Sequence, residues 1–303
     1  MSKNIIVIGS CNTDMVIKAD RLPVPGETII GGSFMMNPGG KGANQAVAAA
    51  RLKGNVHFIA KTGNDLFGKR SIEQYEDEGI HVENIYSDLT LPSGVALIMV
   101  DMNGENSIAI ASGANGSLSP EDIWKAQPTI EKGDILLMQL EIPIQTVEYA
   151  ARKAFEKGVK VVLNPAPARS LPKELLRYLF MITPNRIEAE MLTGIKIVND
   201  ADAERVAKEI SAMGVQNIIV TLGSKGCLVR EGDTSYCVDA FKVEPVDTTA
   251  AGDTFNGALC VGLAEGMNLR QAAVMASKAS SVAVTRMGAQ SSIPHRKELD
   301  LNE

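Results

Sequence analysis

The chain has 303 residues, with 27 Gly and 13 Pro spread along it rather than gathered into a linker, so one large domain with room for a small lid is expected. Against 36 acidic side chains stand 30 basic ones, giving a net charge of -6 without a Lys/Arg block; nothing supplies the positive surface that nucleic acid binding needs, and small molecules are the expected partners. No stretch reaches the roughly 18 consecutive apolar residues of a membrane span, and the opening MSKNIIVIGS turns straight into a strand, which predicts a cytoplasmic protein.

Lys3 to Gly9 is a near-continuous apolar run, the pattern of a parallel strand covered on both faces. A glycine-rich loop leads into an Ala-rich helix over about 41–52; strand 56–61 follows, then a helix over about 66–78 with Gly79 as its stop. The stretch 94–111 differs, because two β-rich runs flank Asn103-Gly104 and predict a hairpin. Together with the segment around Glu27–Met36 it forms a small separate sheet. Such a sheet cannot bury both faces alone and has to cover a ligand or another subunit. Alternation resumes with strand 134–138, helix 144–157, strand 159–163, a short strand near 180–182, helices over about 186–192 and 201–212, and strand 217–221. Short strands near 226–230 and 234–238 bracket Gly232-Asp233. Helices fill about 252–265 and 269–284, the second opened by an Asn268/Gln271 capping box. The fold class is therefore α/β: a doubly wound, mostly parallel sheet with helices on both faces and a small β lid, its ligands lying outside the carboxyl ends of the strands.

Cys11, Cys227, Cys237 and Cys260 form no CxxC pair and are expected to be free thiols, while His57, His81 and His295 lack metal-ligand spacing and read as structural or surface residues. After the first strand the chain offers Gly9-Ser10-Cys11-Asn12-Thr13-Asp14 instead of G-x-G-x-x-G, which argues against a dinucleotide fold. Gly63 to Arg70 imitates a phosphate-binding loop until Arg70 replaces the needed hydroxyl, so it reads as a strand-to-helix turn. In Pro38 to Gln45 the glycines permit close backbone approach and Asn44 both donates and accepts; this segment suits a polyol, or a plain tight turn. The strongest segment is Val246 to Ala258, where Ala250, Ala251, Gly252 and Asp253 open a helix with no bulky side chain over its orphan N–H groups, an anion hole. Asp253 there is either an N-cap or a general base, and spacing does not choose.

CNTDM (11–15), GGKGANQAVAAAR (39–51), LNPAPAR (163–169), TPNRIEAEMLTG (183–194), TLGSKG (221–226), VDTTAAGDTFNGA (246–258) and VTRMGAQSSIP (284–294) resemble the ribokinase-like (PfkB) family of carbohydrate kinases, over essentially the whole chain. The resemblance implies a large α/β domain with lid strands from about 12–38 and 93–112, and transfer of the γ-phosphoryl group of ATP to the C5 hydroxyl of D-ribose with Asp253 as base. It assigns the sugar to Asn12, Thr13, Asp14, Gly40, Lys41, Gly42, Ala43, Asn44 and Glu141, with Lys41 acting through its backbone. Asn185 and Glu188 fall near the phosphates and Mg²⁺, three residues apart on one face of a helix start. Thr221, Leu222, Gly223, Ser224, Lys225, Gly226, Gly252 and Ser277 match the ATP cleft, and Asp247, Thr249, Ala283, Arg286, Gly288 and Ser292 match a K⁺ site. A homodimer through the lid strands is implied as well.

Three rivals differ in class. A related kinase acting on 2-deoxyribose, fructose or a nucleoside keeps the chemistry and changes the pocket. A silent sugar sensor would not need Asp253 beside Asp14 and Glu188, and a nicotinamide-dependent oxidoreductase lacks its fingerprint.

Overall fold

The computed structural model describes residues 3–299. Its first strand, β1 (Asn4–Ile8), buries Ile5 and Val7 toward one side and Ile6 and Ile8 toward the other, as a central strand must. There follow β2 (Asn12–Lys18), β3 (Ser33–Gly39), α1 (Lys41–Arg51), β4 (Asn55–Gly63), α2 (Leu66–Asp77), β5 (His81–Asp88), β6 (Gly94–Val100) and β7 (Asn106–Ala111). Next come α3 (Pro120–Lys125), α4 (Gln127–Ile130), β8 (Ile135–Met138), α5 (Ile144–Glu156), β9 (Lys160–Leu163), α6 (Lys173–Leu176), β10 (Met181–Ile182), α7 (Arg186–Thr193) and α8 (Asp200–Ala212). The chain closes with β11 (Asn217–Thr221), β12 (Cys227–Glu231), β13 (Thr234–Val238), α9 (Ala251–Ala264) and α10 (Leu269–Ala283).

Nine strands form one sheet in the order β13-β12-β11-β10-β9-β8-β1-β4-β5, parallel except for the antiparallel β11-β12-β13 end. Helices α1, α2, α9 and α10 cover one face and α3 to α8 the other, each over its own apolar cluster. None of these helices, among the described residues, is long and apolar enough to cross a membrane. Asp65 caps α2 by accepting from Gly68 N at 2.9 Å, and a Cβ on Gly68 would overlap the Gly63 carbonyl; the 63–70 segment is a tight strand-to-helix turn.

Four strands stand apart in the order β3-β2-β6-β7. The hairpin about Asn103-Gly104 is present, with Gly104 at φ 82° and Asp101 Oδ1 accepting from the Asn103 and Glu105 N–H groups. One local expectation changes: the strand expected within Glu27–Met36 begins only at Ser33 and continues to Gly39. Strand β5 escaped notice because HVENIYSD is a half-buried edge strand with little apolar run. The histidines also meet: β4 and β5 stack the rings of His57 and His81 at 4.2 Å and 11°, with Glu83 Oε1 3.4 Å from His81. Near-parallel ring planes keep the two sets of in-plane lone pairs from converging on one point.

Register fixes what each face of the small sheet carries. Asp14 pairs with Asn37 and Ala96, so these share the face of Asn12, whereas Met15, Met36 and Leu97 share the opposite face with Ile17, Phe34 and Met99. The Asp14 face is therefore mixed in character and the opposite face largely apolar.

Helix α9 reaches the sheet by lying directly on α1. A Cβ on Gly257 would come within 2.6 Å of Ala48 Cβ and 2.8 Å of the Gln45 carbonyl, so the crossing admits no side chain there. Gly257→Val should lower stability by about 1–3 kcal/mol through overpacking, read as an earlier urea midpoint; an unchanged midpoint would show that the two helices part freely.

Candidate active site

Strand β2 delivers Asn12 and Asp14 to one face, and Thr13 between them turns to the other. The Asp14 carboxylate lies over the Cα of Gly39, where a Cβ would overlap it. Gly40 has φ 89° and a Cβ there would sit 2.8 Å from Asn12 N, which explains the double glycine before α1. The N–H groups that follow are already engaged. Lys41 N donates to Glu141 Oε2 at 2.9 Å, Gly42 N to Ser10 Oγ at 3.4 Å and Ala43 N to the Ser10 carbonyl at 2.9 Å. Gly42 and Ala43, expected to touch sugar, have their N–H groups tied to Ser10 just after β1; Ser10, which sequence reasoning passed over, also donates from Oγ to Glu141 Oε2 at 2.6 Å.

The open choice for Asp253 is resolved against capping. The N-cap of α9 is Ala250, at φ 59° and with no side-chain cap, and Asp253 sits three residues inside. Its carboxylate points across to α1 and accepts from Asn44 Nδ2 at 2.9 Å on Oδ2 and from Gln45 Nε2 at 2.9 Å on Oδ1. Asn44 Oδ1 is buried without a partner among the described residues. At the helix start Ala251 N donates to the Thr248 carbonyl at 3.2 Å, while the N–H groups of Gly252 and Asp253 meet no acceptor among the described residues. Of the four expected anion-hole residues, Ala251 alone has its N–H engaged; that of Ala250 also meets no acceptor among the described residues. Asn256 Nδ2 and Ser280 Oγ brace the turn by donating to the Gly252 and Ala251 carbonyls at 2.8 and 2.9 Å.

Two clefts open from this point. One, of about 540 Å³, is lined by Lys41, Asn185, Glu188, Thr248, Gly252 and Asp253, and has the polarity of a phosphate site. The other, of about 1200 Å³, runs on past Thr221, Gly223, Ser224, Gly226 and Ser277 and is largely apolar. Leu222 and Lys225 do not line it: Leu222 is buried in the core, and Lys225 turns outward to 3.9 Å from Asp200. Phe241, Val243, Pro245 and Phe255 do line it and were missed. The unpatterned apolar stretch AFKVEP before the 246–258 motif was the available signal. Asn185 and Glu188 form a reciprocal cap of α7, Glu188 N donating to Asn185 Oδ1 and Asn185 N to Glu188 Oε2, each at 2.9 Å. Their spacing of three is thus a capping box, and Glu188 still faces the polar cleft.

The residues matched to a cation gather at one loop. Asp247 accepts from Thr249 N and Oγ1 at 2.9 and 2.7 Å and from Gly288 N at 2.8 Å, which pins the 246–249 segment to the end of α10. Arg286 sends its guanidinium to Glu298 at 2.5 Å; Ala283 and Ser292 are buried. This donor set consists of oxygens alone, which suits a hard monovalent ion.

Charge is crowded here. The Lys41 ammonium is held protonated chiefly by Asp253, then by Glu141, Glu188 and Asp14, and so lies among carboxylates rather than as a solvated tail. Burial, then the neighbouring Glu141 and Asp253 carboxylates, push Asp14 up to about 6, and burial raises Glu188 as well.

A family model described as pfkB family carbohydrate kinase matches residues 2–296. The chain is 44% identical over 301 residues to the ribokinase of Haemophilus influenzae, covering 98% of this chain and 97% of that one. It is 38% identical over 305 residues to the deoxyribokinase of Salmonella typhi, covering 99% and 100%. The structure of Arabidopsis thaliana ribokinase complexed with ribose and ATP superposes with a TM-score of 0.91 at 32% identity, over 98% of this chain and 97% of that one.

Because the folded-state value of Asp14 lies above the unfolded one of roughly 3.9, its ionisation destabilises the fold: stability is full below about pH 4 and falls as pH rises through about 6. Asp14→Asn should therefore raise the melting temperature by about 2–5 °C at pH 7.5, with the gain vanishing at pH 4. Equal gains at both values would contradict the assignment.

Proposed function

The chain belongs to the pfkB family of carbohydrate kinases, and we propose that it moves the γ-phosphoryl group of ATP onto the C5 hydroxyl of D-ribose, giving D-ribose 5-phosphate and ADP. The observation that carries this reading is the place of Asp253. Its carboxylate is turned to the sugar-side residues by Asn44 and Gln45, while its N–H and that of Gly252 open on the polar cleft next door.

In this reading the chain works as one domain with the four-stranded sheet as its lid. Asp14 accepts from two neighbouring sugar hydroxyls and Asn12 supplies an amide beside it. Asp253 takes the proton of the attacking hydroxyl as the oxygen reaches phosphorus. The Gly252 and Asp253 N–H groups steady the charge spread over the moving phosphoryl, and the Lys41 ammonium lies between the two reactants. Closure of the lid keeps water from competing for the phosphoryl. Glu188, with Asn185, would hold Mg²⁺ through its water: a buried carboxylate on the polar cleft, with only neutral donors against it, has charge to spare for a cation. The ion would neutralise phosphate charge. The oxygens about Asp247, Thr249, Ala283, Arg286, Gly288 and Ser292 would hold K⁺ and so stiffen the loop before the anion hole. Free thiols at all four cysteines accord with the cytoplasm as its location.

The apolar outer face of the lid motivates a homodimer. Phe34 is 60% exposed and Leu97 55%, on a face whose opposite side already serves the sugar, and a second copy of the same sheet would cover both. Phe34→Glu should turn a dimer into a monomer by light scattering; a parent that is already monomeric removes the dimer.

ATP consumption measured with Mg²⁺ and K⁺ across ribose, 2-deoxyribose, fructose and adenosine tests the acceptor, and ribose is expected to lead. A lead for 2-deoxyribose, the substrate named for the Salmonella typhi relative, would keep the chemistry and reassign the pocket. Asp253→Asn should cut kcat by roughly 10²–10⁴-fold without loss of melting temperature, since Asn44 can turn its unpaired Oδ1 to accept from the new amide. Turnover near the parental rate would refute the base.

A further inference from the structure

Two glutamines stand behind the site without touching either cleft. Gln45 and Gln139 are fully buried, and Gln45 Nε2 donates both to Asp253 Oδ1 at 2.9 Å and to Asn164 Oδ1 at 3.0 Å. Gln139 Nε2 donates to Gln45 Oε1 at 2.6 Å, and Asn164 Nδ2 donates to the Thr183 carbonyl at 3.3 Å.

The direction of this chain of amides is forced. An ionised carboxylate and a backbone carbonyl only accept, so Asp253 requires an N–H from Gln45, and the Thr183 carbonyl requires one from Asn164. Asn164 then shows its oxygen to Gln45, which uses both of its N–H groups and has to turn Oε1 toward Gln139. Gln139 therefore donates, and its own Oε1 is left buried without a partner. Gly9 leaves the room for that oxygen, since a Cβ there would overlap it. An apolar side chain at 139 would avoid the orphaned carbonyl, since a buried oxygen with no donor has lost its water without compensation. What the glutamine gains in return is the orientation of Gln45.

We infer that Gln45 is a positioning residue for phosphoryl transfer: its amide, oriented by Gln139, holds the Asp253 carboxylate as a pure acceptor aimed at the sugar hydroxyl. The inference rests on the reading of Asp253 as general base. Asn44 grips the other oxygen but has an unpaired Oδ1 and can turn, whereas Gln45 is locked at both ends. Rotation of the carboxylate is thus restrained mainly from the Gln45 side, and a small misplacement of a reacting group is enough to lose much of the rate.

Gln45→Leu keeps the approximate volume and removes the donor. With ATP, Mg²⁺, K⁺ and the sugar the parent prefers, kcat should fall roughly 10–100-fold while the sugar KM stays within about threefold. Loss of a donor to the carboxylate should also move the acid limb of the kcat profile to higher pH. In an Asp253→Asn background the same change should slow the reaction no further, because the residue acts through Asp253. If Gln45→Leu does not fold, Gln139→Met decides, with the same upward movement of the acid limb and a milder loss of roughly 3–10-fold. A folded Gln45→Leu, or in its place a folded Gln139→Met, with the parental kcat and pH profile overturns this inference and leaves the kinase reading intact. A parent with no turnover on any acceptor overturns both.

Discussion

Everything at the site depends on how closely α9 can lie on α1. The absence of a side chain at Gly257 lets the two helix backbones approach, and that approach brings Asp253 within hydrogen-bonding reach of Asn44 and Gln45 from a segment more than two hundred residues earlier. The same contact fixes the first turn of α9, whose free N–H groups face the polar cleft. One crossing therefore sets the distance between the Asp253 carboxylate and the open N–H groups at the start of its own helix. A loop-borne aspartate would lack this precision, because loops carry fewer packing constraints.

Around that crossing the protein assembles four carboxylates, Asp14, Glu141, Glu188 and Asp253, about one ammonium, Lys41. Such a group is unfavourable in the empty protein, and the raised value of Asp14 is its visible sign. Surrounding structure supports the arrangement: Ser10 Oγ and the Lys41 N–H donate to Glu141, and the capping box of α7 occupies Glu188. A sugar that donates hydroxyl hydrogens to Asp14 would relieve part of the repulsion, so the strain is located where binding can release it.

The small sheet is anchored at its root rather than along its face. Asp65, while capping α2, also accepts from Ser93 N and Oγ at 2.8 and 2.7 Å just before β6. Asn115, just after β7, accepts from Cys11 N at 2.9 Å and donates to Asn12 Oδ1 at 2.7 Å. Both ends of the hairpin are thus fastened to the large sheet, and the rest of it projects. Asn115 has a further effect, since its donation to Asn12 Oδ1 leaves the Asn12 amide hydrogens for a ligand.

Much of this was written locally in the chain. The apolar run of β1, the Asn103-Gly104 turn, the Asn268/Gln271 cap and the small residues before α9 each depend on neighbours in sequence, so periodicity and turn chemistry revealed them. The motif residues Asn44, Lys41, Glu188 and Asp253 were legible for the same reason, being packed into short segments with an unusual composition. Other features were not local. Whether Asp253 caps a helix or faces sugar depends on α1, whether Gly42 and Ala43 offer their N–H groups depends on Ser10, and whether Leu222 lines a cleft depends on the core beneath it. Gln45 and Gln139 are the extreme case: nothing in their own segments sets their amides, because the partner that dictates the direction arrives from the far end of the chain. The sequence by itself determined most of the elements, the edge strand β5 excepted, and the chemical inventory, since these follow from short-range sterics and patterning; only the tertiary structure decided which donors meet which acceptors, since that pairing is made by packing between distant segments.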